Sequence, residues 1–264
     1  GVRIKNTQTN SARLLQAPQV VLATGGFASD RHSHSVLARV RPDLLSFGTT
    51  GGTFSTGDGI SLAQHVGATT IDLDQIQLHP TGFVNPHHPH EETKVLAAEL
   101  LRGVGGILLN DGGKRFCNEL GTRDYVTKQM LEQDTTSRND QNKSPTFTLV
   151  LTVEAAKNAQ RHVDLYQYKG LLTKVQGLQA LASWMVAAIA GSSDVTESTV
   201  QVTSDALYHT FYDYQSALTT GIDGFGKTVF PGFSIQATMT KQEWEEQVFY
   251  IGMVTPVLHY CMGG

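Results

Sequence analysis

Val20-Val21-Leu22-Ala23-Thr24-Gly25-Gly26-Phe27 is a short apolar run that stops in paired glycines. Four consecutive apolar residues are too few for a helix and read as a short buried strand, and the glycines supply a tight turn at its end. On the amino-terminal side, residues 1–15 alternate polar and apolar positions. On the other side, the apolar residues of 60–66 recur at helical spacing until Gly67, which ends the pattern as a helix stop should. Residues 71–76 are again strand-like. Thr56-Gly57-Asp58-Gly59 repeats the first glycine turn. Each turn suits either close approach of backbone to a ligand or an ordinary tight bend, and neither alone decides between them.

Further along, a loop with His87, His88 and His90 leads to a helical stretch at 94–101. Residues 107–116 read as a β-hairpin around Asp111-Gly112-Gly113, because Asp-Gly supports positive φ. The segment 133–145 is polar and aperiodic, the pattern of a surface loop. From 152 to 218 the spacing is helical. Thr152 suits an N-cap, 178–190 is an apolar helix, and 202–218 carries a face of Leu207, Tyr208, Phe211 and Tyr214. A last helix covers 241–250, and no fixed period repeats. The fold class is α+β: an insertion set between two parts of another domain.

Composition narrows the function. The chain has 264 residues, 40% apolar and 17% charged, with 26 Gly and 8 Pro, which excludes disorder and collagen. Twenty basic against 24 acidic residues, net -4, argues against a phosphate-neutralising domain, so no nucleic-acid partner is expected. Cys117 and Cys261 form neither a zinc motif nor a disulfide framework, which suggests an intracellular, reducing compartment. The longest apolar stretch falls short of the ~20 residues a membrane span needs, so a buried helix is expected and no membrane partner. A chain that begins at Gly1 rather than methionine looks like a piece of a longer one.

Gly221-Ile222-Asp223-Gly224-Phe225-Gly226-Lys227-Thr228 satisfies the phosphate-loop pattern. That pattern works only between a strand and a helix, and Pro231-Gly232 forbids the helix, so a glycine-rich turn is the better reading. The three histidines with Glu91 and Glu92 offer zinc or nickel ligands, but two prolines leave no helical geometry, and a solvated loop without metal is expected. A stronger set is Gln77-Leu78-His79-Pro80-Thr81, Glu99 with Arg102, Arg123-Asp124, and His259. Glu99 and Arg102 share one helical face and suit an ion pair. The dull alternatives are surface decoration for the pair and a loop role for the histidine before proline.

Together with Ala98-Glu99-Leu100-Leu101-Arg102-Gly103, Gly113-Lys114-Arg115-Phe116, Asn118-Glu119, Thr122-Arg123-Asp124 and His259-Tyr260-Cys261-Met262-Gly263-Gly264, these motifs resemble the flavoprotein family of fumarate reductases and succinate dehydrogenases. The likeness is nearest to the soluble, NADH-dependent fumarate reductases of trypanosomatids, and L-aspartate oxidase shares several of the motifs. The resemblance implies part of a Rossmann-like FAD-binding domain at 1–72, a capping domain at 73–253 and a return to the flavin domain at 254–264. It implies reduction of fumarate to succinate, with Arg123 as the acid, Glu99 and Arg102 as its proton relay, and His79 and His259 holding the dicarboxylate.

Ala23, Thr24, Gly25, Gly26, Thr49, Thr50, Gly51, Asp58 and Gly59 would contribute to the FAD site. The implied partners are a C4 dicarboxylate and an electron-donor domain outside this chain. The implied compartment is the cytosol or an organelle, a mitochondrion or glycosome by family analogy. Two departures stand out: Ala98 and Cys261 each replace a threonine. With the first strand's glycine fingerprint also lacking, only part of the cofactor cradle is expected here, and a non-catalytic capping module is the alternative.

Overall fold

The computed structural model describes residues 1–133, 144–192, 202–233 and 238–264. Most of the polar 133–145 segment lies outside the described residues. The chain opens with an exposed antiparallel hairpin of β1 (Val2–Lys5) and β2 (Ala12–Leu15), Val2 opposite Leu15. Next come α1 (Val36–Val40), β3 (Gly48–Thr49) and α2 (Asp58–His65). Ser35 caps α1 by accepting the Ala38 N–H at 3.0 Å, and Gly67 stops α2 at a φ of 91°.

The rest of the chain builds one mixed sheet and its covering helices. Its elements are β4 (Ile76–Phe83), β5 (Val95–Leu96), α3 (Leu100–Gly103), β6 (Ile107–Leu109), α4 (Arg123–Gln133), β7 (Phe147–Thr152), α5 (Val153–Asn158) and α6 (Gln160–Tyr168). After these come β8 (Thr173–Gln176), α7 (Leu178–Ser192), α8 (Ser204–Thr220), α9 (Lys241–Glu245) and β9 (Val248–Cys261). The strand order is β5-β4-β9-β7-β6, with β3 and β8 also on β9.

β9 organises the molecule. Its first half pairs antiparallel with β7, from Phe249 opposite Thr152 to Val254 opposite Phe147, and with β8. Its second half pairs antiparallel with β4 and parallel with β3. Apolar layers cover both faces of the sheet at its centre, so β6, β7 and much of β9 read as largely apolar runs. Successive side chains part company: Leu108 joins Leu101, Phe116, Leu149 and Met130 on one side, whereas Ile107 and Leu109 join Val150, Leu181, Met185 and Phe211 on the other. A third cluster gathers Phe27, Val36, Leu37 and Leu44 against Leu258 of β9.

Several expectations need correction. Residues 20–23 are neither strand nor buried, and Val21 is 88% exposed. A strand is buried by neighbours, and among the described residues neither the hairpin nor the large sheet reaches this segment. Of 71–76 only Ile76 enters a strand, because Asp72 adopts a φ of 53°. The helix expected over 94–101 starts only at Leu100. Val95 and Leu96 are taken by pairing with Phe83 and Gly82, and Ala97 N–H donates to the Thr81 carbonyl. The last helix ends at Glu245, since Val248–Cys261 is strand. The 107–116 hairpin is reduced to a single bridge between Leu109 and Arg115. β8 and the start of β9 replace helix expected over 152–218 and 241–250, and β7 answers to no expected element. Thr152, by contrast, caps α5 through the Ala155 N–H, and α7 and α8 form as their spacing requires.

Candidate active site

The site is assembled across the β4–β9 ladder. In its register His79 lies opposite Val257, and a shift between the Gln77–Tyr260 and Leu78–Leu258 pairs leaves His259 as the extra residue on β9. The two rings meet edge to face with centroids 5.3 Å apart. A shift in register between His79 and Gly82 accommodates Pro80, which has no N–H for the ladder.

His79 is almost completely buried. The Thr81 backbone N–H donates to its Nδ1 at 3.1 Å, so the neutral ring carries its proton on Nε2. Nε2 is itself buried without a hydrogen-bond partner. Burial first, then the charges of Arg102, His259 and Arg123, push its pKa down to about 3. His79 is therefore a neutral N–H donor awaiting an acceptor. His259 Nδ1 lies 2.8 Å from the Thr50 hydroxyl, and burial followed by the Arg123 charge lowers its pKa as well.

Beside the imidazoles runs a chain of charge-assisted hydrogen bonds. Arg123 opens α4 and donates through Nη1 to Gln77 Oε1 at 2.8 Å and through Nη2 to Glu99 Oε2 at 3.0 Å. Arg102 donates through Nη2 to Glu99 Oε1 at 3.2 Å and through Nη1 to the Glu119 carbonyl at 2.6 Å. Gln77 and Tyr260 are cross-strand partners, and the Arg123 guanidinium sits 5.6 Å from the Tyr260 ring centre. A cation in the first turn of a helix opposes the helix dipole; Glu99 and Gln77 offset that. The hydrogen bond to Arg123 holds the Glu99 carboxyl below its ordinary range, and the same bond raises Arg123. Burial draws Arg102 downward. Glu99 is half exposed and Arg123 a quarter, while Arg102 is 2% exposed. The five residues His79, Glu99, Arg102, Arg123 and His259 thus converge, although they come from β4, the turn before α3, α3, α4 and β9.

The glycine loops lie on the His259 side. Gly57 N–H donates to the Gly26 carbonyl at 3.1 Å, tying the 24–26 turn to the start of α2. Thr24 packs so closely on Gly59 that a Cβ there would collide with its hydroxyl, and Gly25, at a φ of 78°, faces open space. Thr49 turns its hydroxyl inward to accept the Gly51 N–H at 2.9 Å, whereas Thr50 reaches His259. Asp58 is exposed in the first turn of α2 and Ala23 is exposed in the chain before it. These glycine turns thus gather beside the start of α2 and the cleft histidine His259.

His87, His88 and His90 are exposed, and no metal-holding group occurs among the described residues. No described helix is long and apolar enough to cross a membrane. The 221–228 segment is a turn with no helix after it: Gly221 caps α8 at a φ of 77° and Asp223 Oδ1 accepts from Phe225 and Lys227 N–H.

Sequence reasoning missed Gln77 and Tyr260 as Arg123 partners, because cross-strand pairing is not written in local spacing. It also missed a second charged cluster of Arg115, Glu119, Asp223 and Lys227. Arg115 and Glu119 stand in the quoted motifs and Lys227 in the phosphate-loop pattern, but nothing in local spacing joins them.

The whole chain, residues 1–264, matches the family described as FAD binding domain. It is similar to a fumarate reductase of Schizosaccharomyces pombe, 39% identical over 265 residues that make up 100% of this chain and 45% of the relative. It is also similar to fumarate reductase 1 of Saccharomyces cerevisiae, 37% identical over 253 residues, 95% of this chain and 47% of the relative. Among solved structures, the open conformation of a flavocytochrome c3 fumarate reductase superposes with a TM-score of 0.65 at 26% identity, covering 91% of this chain and 35% of that one. The chain therefore spans less than half the length of these two curated relatives. On the match across its full length, the chain belongs to the FAD binding domain family, and its cofactor is FAD.

Proposed function

We propose that the protein containing this chain reduces fumarate, or a closely similar C4 dicarboxylate, to the saturated acid. One observation carries the reading: a neutral, buried and unpartnered His79 N–H stands beside a continuous Arg123–Glu99–Arg102 hydrogen-bonded chain. The chemistry that FAD supplies when bound is a hydride for one alkene carbon. Arg123 supplies the proton for the other carbon from a guanidinium N–H. An arginine is a poor acid at neutral pH, so its role depends on prompt return of a proton from Glu99 Oε2, its partner at 3.0 Å. Glu99 is half exposed and draws on water or on Arg102. His79 Nε2–H and His259 orient a substrate carboxylate, as donors already fixed by the fold.

In this reading residues 1–72 and 254–264 belong to the flavin side, residues 73–253 to the cap, and electrons enter through a domain outside the chain. Turnover of the flavin-loaded full-length protein with fumarate and a chemical reductant tests it, with aspartate oxidation as the competing assay. Fumarate reduction abolished by Arg123→Ala, with the protein still yellow, supports the reading. Near-normal turnover of that variant, or activity on aspartate alone, overturns it.

A further inference from the structure

The charge cluster outside the cleft is sealed from water. Glu119 and Lys227 are both 0% exposed and paired at 2.8 Å. Arg115 adds a bidentate contact to Glu119 at 2.7 and 2.8 Å. It also reaches Asp223 at 2.9 Å, and the Tyr214 ring covers both cations, 4.3 Å from the Arg115 guanidinium carbon and 4.9 Å from Lys227 Nζ. Two positive and two negative groups cancel. Burial opposes ionisation of Glu119, yet Arg115 and Lys227 together hold its carboxyl below the ordinary range.

The cluster touches the relay through the backbone. The same Glu119 whose carboxylate is clamped presents its carbonyl to Arg102 Nη1 at 2.6 Å. Four residues later the chain reaches Arg123. Its path between is tight, with Leu120 N–H on Asn118 Oδ1 and Tyr125 N–H on the Thr122 hydroxyl. One carboxylate, held from both sides, thus anchors the segment from which both arginines of the cleft take their positions.

We propose that Lys227, with Asp223 and Arg115, is a positioning residue for proton delivery: it locks Glu119 so that Arg102 and Arg123 stay aligned with Glu99. The lysine of the phosphate-loop pattern serves an internal carboxylate and binds no nucleotide. This proposal rests on the relay reading above. Small displacements of reacting groups have large kinetic effects. A loosened anchor therefore slows the proton step while leaving the substrate held by His79 and His259.

The test uses the flavin-loaded full-length protein and Lys227→Met, with Lys227→Arg as the conservative variant. Should Lys227→Met fail to fold, Lys227→Met with Asp223→Asn takes its place, since it restores charge balance around the Arg115–Glu119 pair. The expected result is a kcat for fumarate about tenfold lower with KM within twofold, a larger solvent isotope effect, and recovery in Lys227→Arg. Amide exchange at residues 119–126 should accelerate. A kcat within twofold of the parent, or kcat and KM changing together, reduces the cluster to a structural role and overturns the proposal. If the parent does not reduce fumarate, the functional reading fails. The exchange arm then stands by itself, and unchanged protection at 119–126 overturns the anchoring.

Discussion

Two groups of charges share this molecule and lie one residue apart through Glu119, yet they live in different solvents. Glu99 and Arg123 in the cleft are 50% and 25% exposed, whereas every side chain of the Arg115–Glu119–Asp223–Lys227 cluster is at most 6% exposed. In the cleft, water screens the Glu99–Arg123 pair, so its contribution to folding is small. In the sealed cluster each charge depends wholly on its partners, so the interaction fixes geometry and exchanges nothing. The Glu99–Arg123 pair sits where solvent reaches, and the Arg115–Glu119–Asp223–Lys227 cluster where it does not.

The sharpest break of this contrast is Arg123→Ala. On its proposed role as general acid, the loss should cost about 10²–10⁴-fold in rate, and thermal unfolding should barely move; steady-state turnover and a melt of the same sample check both. Glu119→Gln should do the reverse first. It strips the buried cations of their counter-charge and should lower stability by about 3–5 kcal/mol, measured by urea unfolding.

A third expectation concerns His79. Its folded pKa of about 3 is depressed, so between that value and its ordinary 6.5 the unfolded chain binds a proton that the folded one refuses. Stability is complete above pH 6.5 and falls as the pH drops toward 3, by up to about 4 kcal/mol. His79→Gln should flatten that part of the pH profile in unfolding titrations. The smallest effect is expected for Glu99→Gln: under about 1 kcal/mol of stability, against the larger loss at Glu119, compared in one urea series. Equal losses at the two glutamates would erase the distinction between the regions.

Much of the site was legible in the chain because motifs with several fixed letters are local. His79 before Pro80, Glu99 three residues ahead of Arg102, Arg123 after Thr122, and His259 before the closing glycines all carried signals. Caps and stops were equally local: Thr152 and Gly67 act as their chemistry requires. Val20 to Ala23 misled for a physical reason, since apolarity states a demand for burial and says nothing about whether neighbours are present to meet it. Val95 and Leu96 misled because a helical spacing lost to ladder bonds with β4.

By itself, then, the sequence determined the α+β class through its local patterns and the family through the resemblance that its motifs carry, because both rest on short local stretches of chain. Tertiary structure decided that β9 runs through the centre and that its register with β4 brings His79 beside His259. It also decided that the lysine of a glycine-rich turn closes on Glu119 from 108 residues away. Strand register and the burial of ion pairs are settled by contacts between distant segments, whose energies no local stretch of chain contains.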